Sequence, residues 1–297
     1  MPNDWSLALP PVLIVGFWRS GTTLLHEMLA ADRRFAAPTL IDVLCPTDAP
    51  YLRKAKQRLT GAIAPLMPAT RVVDNVAVTP RSPQEEEAAL CHLGAPSSFA
   101  AAYFPKRRDA ILAEALFFDG APDARERWRA AHEHFMRLMV VKYPGRCILL
   151  KNPSNSTRIP DLLALYPSAL FVRIDRDPAE VVPSFQRMTD VANEAFSLQG
   201  RAPPLDREAA TRFHARVTAK LDADWPLVAP ERRVEVLYET FAPAPLRSVD
   251  AIYRGLGLER SVEARRRQKR FWLRRGRTWS PQSIAAAQIR PSLPLSP

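Results

Sequence analysis

Cysteine and histidine are scarce in this sequence, and their scarcity argues against two classes of protein. The three cysteines, Cys45, Cys91 and Cys147, lie far apart and form no Cys-x-x-Cys pattern. The sequence therefore predicts neither a disulfide framework nor a zinc module, and its unpaired thiols favour a cytoplasmic compartment. His132 and His134 lie two residues apart in a helical pattern, so they point in different directions and are expected at the surface. No metal site is predicted.

Long apolar runs are also missing. The first apolar stretch, from Leu7 to Trp18, lacks a basic leader, contains Pro10 and Pro11, and is too short to span a bilayer. We therefore expect a cytoplasmic protein without a transmembrane segment. A peripheral contact with a membrane stays open.

Lysine is rare as well, although the chain is strongly basic. The formal net charge is +11, and seven lysines among 42 basic residues leave 35 arginines. A coding bias that replaces lysine by arginine is one explanation. An anionic ligand is another, because the planar guanidinium matches the oxygens of phosphate and sulfate. Hydrophobic residues make up 47% of the chain, which is enough to bury a core and excludes a disordered polypeptide.

Segments typical of strands and helices alternate along the chain. Short apolar runs predict buried strands at 11–16, 147–151, 169–174 and 234–238. Helical spacing predicts helices at 23–31, 124–142, 158–165, 206–224 and 246–256, with another beginning at Pro178. The predicted fold class is α/β: a P-loop-like parallel sheet flanked by helices on both faces.

The same pattern predicts a single domain over residues 1–297, with a core at about 11–258. Residues 46–118 are rich in proline and irregular, with helical patches at 52–63 and 85–93, and are interpreted as an insertion. Residues 264–277 are intensely basic, and a loose tail follows to 297. The basic segment is a solvated helix face, a lid, or a surface for an anionic partner or membrane. No motif for specific nucleic-acid binding accompanies it.

The strongest local signal is the run Gly16-Phe-Trp-Arg-Ser-Gly-Thr-Thr23, which lies between a strand and a helix. Backbone N–H groups of such a loop, together with the helix N-terminus, form a phosphate site. The spacing matches the loop of ATP- and GTP-binding proteins, but Thr22 stands where their lysine stands, and the cation is Arg19. An arginine there can meet charge on the bridging oxygen of a phosphosulfate. A glycine turn that only closes a strand–helix unit is the alternative.

The run Arg19-Ser-Gly-Thr-Thr23 resembles the 5'-phosphosulfate loop of sulfotransferases that use 3'-phosphoadenosine 5'-phosphosulfate (PAPS), especially the bacterial branch related to the carbohydrate and tyrosyl-protein enzymes. Arg176 ends a predicted strand, and Ser184 follows eight residues later, as in that family's 3'-phosphate site. Taken alone, Arg176 would be assigned to a salt bridge with Asp175 or Asp177. The resemblance implies that the following residues bind the donor: Arg19, Ser20, Gly21, Thr22, Thr23, Arg176 and Ser184.

Two further segments extend the resemblance, which covers about residues 11–258. Leu149–Arg158 resembles the family's L-K-x-P turn and implies that Lys151 contacts the sulfonate or the acceptor; a lysine reaching solvent is the alternative. Leu237–Phe241 resembles the family's Y-E-D-[LF] strand, with Thr240 in place of the acid, and implies that Tyr238 binds the donor.

A poorer match lies in the basic C-terminal segment. Arg274-Arg-Gly276 is similar to the R-K-G sequence that closes over the 3'-phosphate in cytosolic sulfotransferases. This likeness implies that Arg275 also binds the donor.

The acceptor hydroxyl needs a base, since sulfuryl transfer otherwise depends on positioning and charge stabilisation. Ser82–Leu90 resembles the family's acidic segment ahead of an acceptor-side helix, which makes Glu85, Glu86 and Glu87 candidates. Glu85 is favoured, because it shares a helix face with His92, itself a second option. The alternative is that these acids only stabilise a helix N-terminus.

The sequence thus predicts a sulfotransferase that uses PAPS, with Arg19, Glu85, Glu87 and Lys151 as its catalytic residues and no metal. Its acceptor is a hydroxyl of a carbohydrate, lipid or small molecule; the sequence does not choose among them and leaves the oligomeric state undetermined. The alternatives are a kinase using ATP and magnesium, and a non-catalytic anion-binding protein of the same fold.

Overall fold

A computed structural model of the protein describes residues 7–47, 58, 61–62, 65, 70–73 and 78–275. The strands are β1 (Val12–Val15), β2 (Phe35–Ala36), β3 (Cys147–Lys151), β4 (Leu170–Asp175) and β5 (Arg233–Leu237). The helices are α1 (Thr22–Ala30), α2 (Leu40–Leu44), α3 (Glu87–His92), α4 (Ala100–Tyr103), α5 (Arg108–Phe117), α6 (Ala124–Lys142), α7 (Ile159–Leu165), α8 (Pro178–Phe196), α9 (Arg207–Asp224), α10 (Tyr238–Phe241), α11 (Pro245–Gly255) and α12 (Val262–Arg275). Short 3₁₀ helices lie at Pro105–Arg107, Pro153–Thr157, Trp225–Leu227 and Pro230–Arg232.

The described strands form one five-stranded sheet in the order β2-β3-β1-β4-β5, and every neighbouring pair is parallel. β1 lies at the centre, with β3 on one side and β4 on the other. In open parallel sheets of this kind, ligands bind beyond the carboxyl ends of the strands, where the strand order reverses. The turns that follow β1, β3 and β4 therefore meet at one edge of the sheet.

The sheet is buried on both faces. Leu13 and Val15 of β1 pack into an apolar cluster with α6 and α7, whereas Val12 and Ile14 pack into a second cluster with α1 and α11. All four side chains are at most 1% exposed, which explains why β1 is a continuous apolar run without alternation. The predicted fold class, a parallel sheet flanked by helices on both faces of a single domain, is confirmed.

The predicted strands and long helices agree with the structure within about two residues at each end, the scatter expected of helix boundaries. Strand β2 and the helices α2, α4, α5 and α10 were not predicted. Residues 108–117 are rich in alanine and leucine, both good helix formers, and Pro105 opens the 3₁₀ helix that precedes them. The helix predicted at 52–63 and the loose tail predicted at 278–297 lie mostly or wholly outside the described residues. The proposed division into core and insertion stays a prediction.

The expectation that His132 lies at the surface was wrong. His132 is fully buried, and its Nδ1 lies 2.8 Å from the Tyr166 hydroxyl. His134 is exposed, as predicted. Residues two apart on a helix do point in different directions, but one of those directions is the core, because α6 packs on the sheet through the face that carries Trp128 and His132.

Candidate active site

The loop between β1 and α1 is held in place by glycine geometry and by the turn after β3. The Gly16 amide donates to the Ser156 hydroxyl over 2.9 Å, and Gly16 has a φ of +142° with the Ile174 carbonyl oxygen 2.3 Å from where a Cβ would stand. The Ser20 hydroxyl and amide both donate to the Phe17 carbonyl, over 2.7 and 3.2 Å. Ser20 therefore closes the loop, and the first amides of α1 have no acceptor within the helix.

Arg19 occupies the left-handed region with a φ of +71°, a conformation that costs a non-glycine residue free energy and is concentrated at functional sites. Its Nε donates to the Ser184 hydroxyl over 3.0 Å. Ser184 lies on α8 and is buried. The Arg176 guanidinium donates to the Arg19 carbonyl oxygen over 3.3 Å. The structure thus brings together the predicted loop and both predicted 3'-phosphate residues.

Tyr238 lies beside the same loop. The Arg176 guanidinium sits 4.3 Å from the centre of the Tyr238 ring, a favourable cation–π distance. A Cβ on Gly21 would stand 2.4 Å from the ring carbon Cδ2 of Tyr238. Gly21 is needed at this position, because its φ of +96° disfavours other residues and because the ring leaves no room for a side chain.

Gly21→Ala is therefore expected to weaken binding of adenosine 3',5'-bisphosphate about tenfold or more, since the ring of Tyr238 has to move. Gly120→Ala is the matched control: Gly120 has a φ of +95°, but nothing lies within 4 Å of its Cβ position. Both variants carry the backbone cost of about 1–2 kcal/mol in unfolding free energy, and only Gly21→Ala should lose ligand affinity. Calorimetric titration measures the difference; equal affinities in the two variants would contradict a role for the close approach of Tyr238.

Lys151 and Glu85 form an ion pair at the end of β3. The Lys151 ammonium is buried and also lies 3.5 Å from the Thr23 hydroxyl, on the first turn of α1. Arg71 reaches the same hydroxyl over 3.4 Å. The pair therefore borders the loop on the side opposite Arg176. Sequence reasoning missed Arg71, which no motif marks.

Glu87 takes a different place from Glu85. Its carboxylate is fully buried and accepts hydrogen bonds from both terminal nitrogens of Arg158 (2.9 and 3.2 Å), from Asn152 (2.7 Å) and from the Ser98 amide (2.7 Å). Burial raises the pKa of the Glu87 carboxyl, but the charge of Arg158 and these hydrogen bonds outweigh it, so the pKa lies below its ordinary value. Every oxygen of Glu87 is engaged, which leaves it no free position for a substrate proton.

Glu86 is bound to a side chain in the protein interior, and His92 is bound to a backbone carbonyl. Glu86 is fully buried and accepts from the Asn155 amide over 2.6 Å, while its side chain makes no capping hydrogen bond at α3. The Nδ1 atom of His92 lies 2.7 Å from the Val43 carbonyl oxygen. Of the predicted bases, Glu85 alone is placed beside both the loop and Lys151.

Arg275, the last residue of α12, is joined to another part of α1. It pairs with Glu27, one turn beyond Thr23, and burial lowers the pKa of its guanidinium. The structure therefore places Arg275 against α1, whereas Arg19, Arg176 and Ser184 cluster at the ends of β1 and β4. A donor contact for Arg275 stays a prediction.

A cavity of about 280 Å³ adjoins the site between the end of β4 and α9. Ser20 and Arg176 line it together with Asp175 and His214. Burial raises the pKa of Asp175 and lowers that of His214. Arg173 also lines the cavity and pairs with Asp175 over 2.6 Å, so two guanidinium groups, those of Arg173 and Arg176, border this space.

Two further properties concern the described residues only. None of the helices there is both long and apolar enough to cross a bilayer. In the same part of the chain, no three or more His, Cys, Asp or Glu side chains are grouped as a metal site would require.

Known proteins resemble this chain over most of its length. A model of the sulfotransferase family matches residues 10–262. The omega-hydroxy-beta-dihydromenaquinone-9 sulfotransferases Stf3 of Mycobacterium bovis and Mycobacterium tuberculosis are each 33% identical over 258 residues, which is 85% of this chain and 64% of theirs. The chain thus matches less than two thirds of the length of these relatives.

Solved structures show the same fold at lower identity. The sulfotransferase STF9 of Mycobacterium avium superimposes with a TM-score of 0.72 at 17% identity, over 91% of this chain and 69% of that one. STF1 of Mycobacterium tuberculosis superimposes with a TM-score of 0.66 at 20% identity, over 88% and 70% of the two chains.

Proposed function

Because the chain belongs to the sulfotransferase family, we propose that it transfers a sulfuryl group from PAPS to a hydroxyl group of a lipid or another small apolar molecule. The observation that carries the proposal is the meeting of Arg19, Arg176, Ser184 and Tyr238 at the carboxyl edge of the sheet. Two arginines converging where parallel strands end suit a ligand that carries separate anionic groups.

The donor site is assigned residue by residue. Arg176 and Ser184 hold the 3'-phosphate, and Tyr238 supports the nucleotide beside Gly21. The first amides of α1, at Thr22 and Thr23, bind the 5'-phosphate with the help of the helix dipole. The close approach of Tyr238 to Gly21 supports this assignment, because a side chain at position 21 would occupy the space between the loop and the Tyr238 ring.

Catalysis depends on charge stabilisation at one end of the reacting group and on a base at the other. The donor supplies an activated sulfuryl group with a phosphate as leaving group. Arg19 and the α1 amides neutralise the charge that develops on the leaving oxygen. Glu85 removes the proton of the acceptor hydroxyl. The Lys151 ammonium, between Glu85 and Thr23, orients Glu85 and stabilises the sulfuryl oxygens.

Glu87 is assigned a positioning role. Through Asn152 and the Ser98 amide it fastens the turn after β3 to the start of α4. Lys151 is the residue just before Asn152, so this network fixes the ammonium at the edge of the site. A carboxylate that holds four hydrogen bonds stabilises its neighbours and does not accept a substrate proton.

An apolar acceptor is favoured by the surroundings of Arg19. Its neighbour Trp18 is half-buried and packs against Phe185 and Phe213 with ring centres 5.9 and 5.8 Å apart. The mycobacterial relatives are named for a hydroxylated dihydromenaquinone. We extend to this chain only the chemical class that the aromatic cluster supports, an apolar molecule with a hydroxyl group.

The proposal is tested by calorimetric binding of adenosine 3',5'-bisphosphate to the protein and to Arg176→Ala. Loss of the guanidinium removes charged hydrogen bonds, so we expect the bisphosphate to bind more weakly by about 1.5–3 kcal/mol. Arg212→Ala, which removes an exposed arginine of α9, is the control and should bind as the unaltered protein does.

Titration with ATP and magnesium in the same experiment separates the alternatives. Preferential binding of ATP–magnesium would favour the kinase. An unchanged affinity in Arg176→Ala would reject the donor site. Bisphosphate binding without turnover of any hydroxyl acceptor would leave an anion-binding protein.

A further inference from the structure

A group of four aromatic and aliphatic side chains, three of them exposed, lies where α4 and α8 end. We call it the aromatic tip and define it as Tyr103, Phe104, Phe196 and Leu198. The Tyr103 and Phe196 rings contact each other with centres 6.4 Å apart. Phe104, Phe196 and Leu198 are 40%, 44% and 72% exposed. Exposed apolar side chains grouped in this way are unfavourable in water and mark a site of contact.

Hydrogen bonds hold the backbone of the aromatic tip in place. The Leu198 amide donates to the Tyr103 carbonyl oxygen over 2.9 Å, and the Lys106 amide donates to the Gln199 side chain over 3.0 Å. The Ser197 hydroxyl donates to the Gly200 carbonyl oxygen over 2.7 Å. These bonds tie the segment after α8 to the segment after α4, so the apolar side chains are held outward together.

Basic side chains surround the aromatic tip. Lys106, Arg107 and Arg201 are exposed; the salt bridge found here joins Arg108 to Asp109. Across residues 103–109 and 194–201 the sequence holds four basic and two acidic residues. An apolar centre with a cationic rim fits the interface of an anionic bilayer, where apolar side chains enter between headgroups and cations stay at the phosphates.

The aromatic tip is connected to the active site along α8. Ser184, which contacts Arg19, and Phe196 are twelve residues apart on this helix, a distance of about 18 Å at 1.5 Å per residue. Phe185, Met188, Ala192 and Phe196 recur at helical spacing on one face of α8. Phe185 and Met188 belong to the aromatic cluster around Trp18. An apolar stripe, exposed at Phe196 and buried at Phe185, thus runs from the tip to the cluster around Trp18, the neighbour of Arg19.

We propose that the aromatic tip docks the protein onto the surface of an anionic lipid bilayer, so that a hydroxylated lipid can pass along the stripe of α8 to Arg19. Docking itself stands on the exposed tip and its cationic rim. The delivery of a lipid acceptor rests on the proposed function.

Another basic surface, on α12, is less suited to the role. Arg266, Lys269 and Arg270 are exposed there, and Leu273 is 59% exposed. This face is predominantly cationic and attracts polyanions of any kind. The aromatic tip adds contiguous aromatic side chains to its charge, the combination that inserts into a bilayer interface.

The test is flotation with vesicles of phosphatidylcholine, alone or mixed with phosphatidylglycerol, in the absence of donor and acceptor. We expect the full chain to float with the anionic vesicles. Lys106→Gln with Arg107→Gln should lower the partition coefficient about 25-fold, from two charges at about fivefold each. Phe196→Ser with Leu198→Ser should lower it about tenfold or more. Leu198→Ser alone alters the most exposed side chain and should lower it without disturbing the fold.

Matched controls make the same changes elsewhere. Val141→Ser with Leu227→Ser removes side chains 62% and 57% exposed, and Lys269→Gln with Arg270→Gln removes two charges of α12. Retained flotation of both controls supports the proposal. Absence of binding to anionic vesicles, equal losses in the controls, or loss only in the α12 pair overturns it. Bisphosphate affinity, measured in parallel, should be unchanged in the tip variants, so failure of docking is distinguished from failure of the donor site.

Discussion

Replacing Glu85 by glutamine is expected to lower kcat for sulfuryl transfer about 100- to 10,000-fold, the range that a general base contributes. Glutamine keeps the size of the side chain and its hydrogen bond to Lys151 but cannot take a proton from the acceptor hydroxyl. The affinity for adenosine 3',5'-bisphosphate should stay within about twofold, because Glu85 is assigned to the acceptor side of the loop. Steady-state rates with a hydroxylated acceptor, together with calorimetry, measure both quantities.

Two controls make the result specific to the base. Glu231→Gln changes an exposed glutamate remote in sequence from the site and should leave kcat unchanged. Retained affinity of Glu85→Gln for adenosine 3',5'-bisphosphate is the second control, because it shows that the donor site is intact. A variant that retains more than about a fifth of the rate would place the base on another residue.

Replacing Glu87 by alanine is expected to destabilise the protein by about 3–5 kcal/mol, because it leaves the fully buried Arg158 guanidinium without its charged partner. Arg158 also stacks over the Trp128 ring and donates to the Ala115 carbonyl oxygen. The loss therefore reaches α5 and α6 as well as the turn after β3. Urea unfolding followed by tryptophan fluorescence measures the change in unfolding free energy.

The same pair gives a dependence on pH. The folded-state pKa of Glu87 lies below its unfolded value near 4.5, so its contribution to stability is present above that value. The contribution is lost as the pH falls through the folded-state pKa.

Glu208→Ala, which breaks the exposed pair with Arg212, should cost less than about 1 kcal/mol and serves as the control for Glu87→Ala. A loss of similar size in both variants would show that Glu87 has no structural role.

The β1 loop and the residues after β4 were predicted from the sequence because their signals are local. A buried apolar strand, a glycine turn and an amphipathic helix follow one another within twenty residues, and each sets the backbone of the next. The eight-residue separation of Arg176 and Ser184 is likewise a property of one strand end and one helix. Since parallel strands end at the same edge, the topology then brings these two segments together.

Neither the pairing of the three glutamates nor the contacts of Arg71 could be predicted in this way. Glu85, Glu86 and Glu87 are equivalent as a helix-start sequence, yet each has a different partner at or after the end of β3: Lys151, Asn155 and Arg158. Those partners lie more than sixty residues away in the sequence. Hydrophobic periodicity indicates the face of a helix on which a side chain lies. It does not indicate which residue of another element that side chain contacts.

The sequence by itself determined the class of the sheet, the position of the glycine loop between β1 and α1, and the family. All three follow from residues close together in the chain, where local conformation and side-chain chemistry are enough. Only the tertiary structure decided that Glu85 pairs with Lys151 beside Thr23, whereas Glu87 forms a buried ion pair with Arg158. It also decided that His132 faces the core. These outcomes depend on which elements pack against each other, because a buried charge takes whichever partner the packed chain brings within hydrogen-bonding distance.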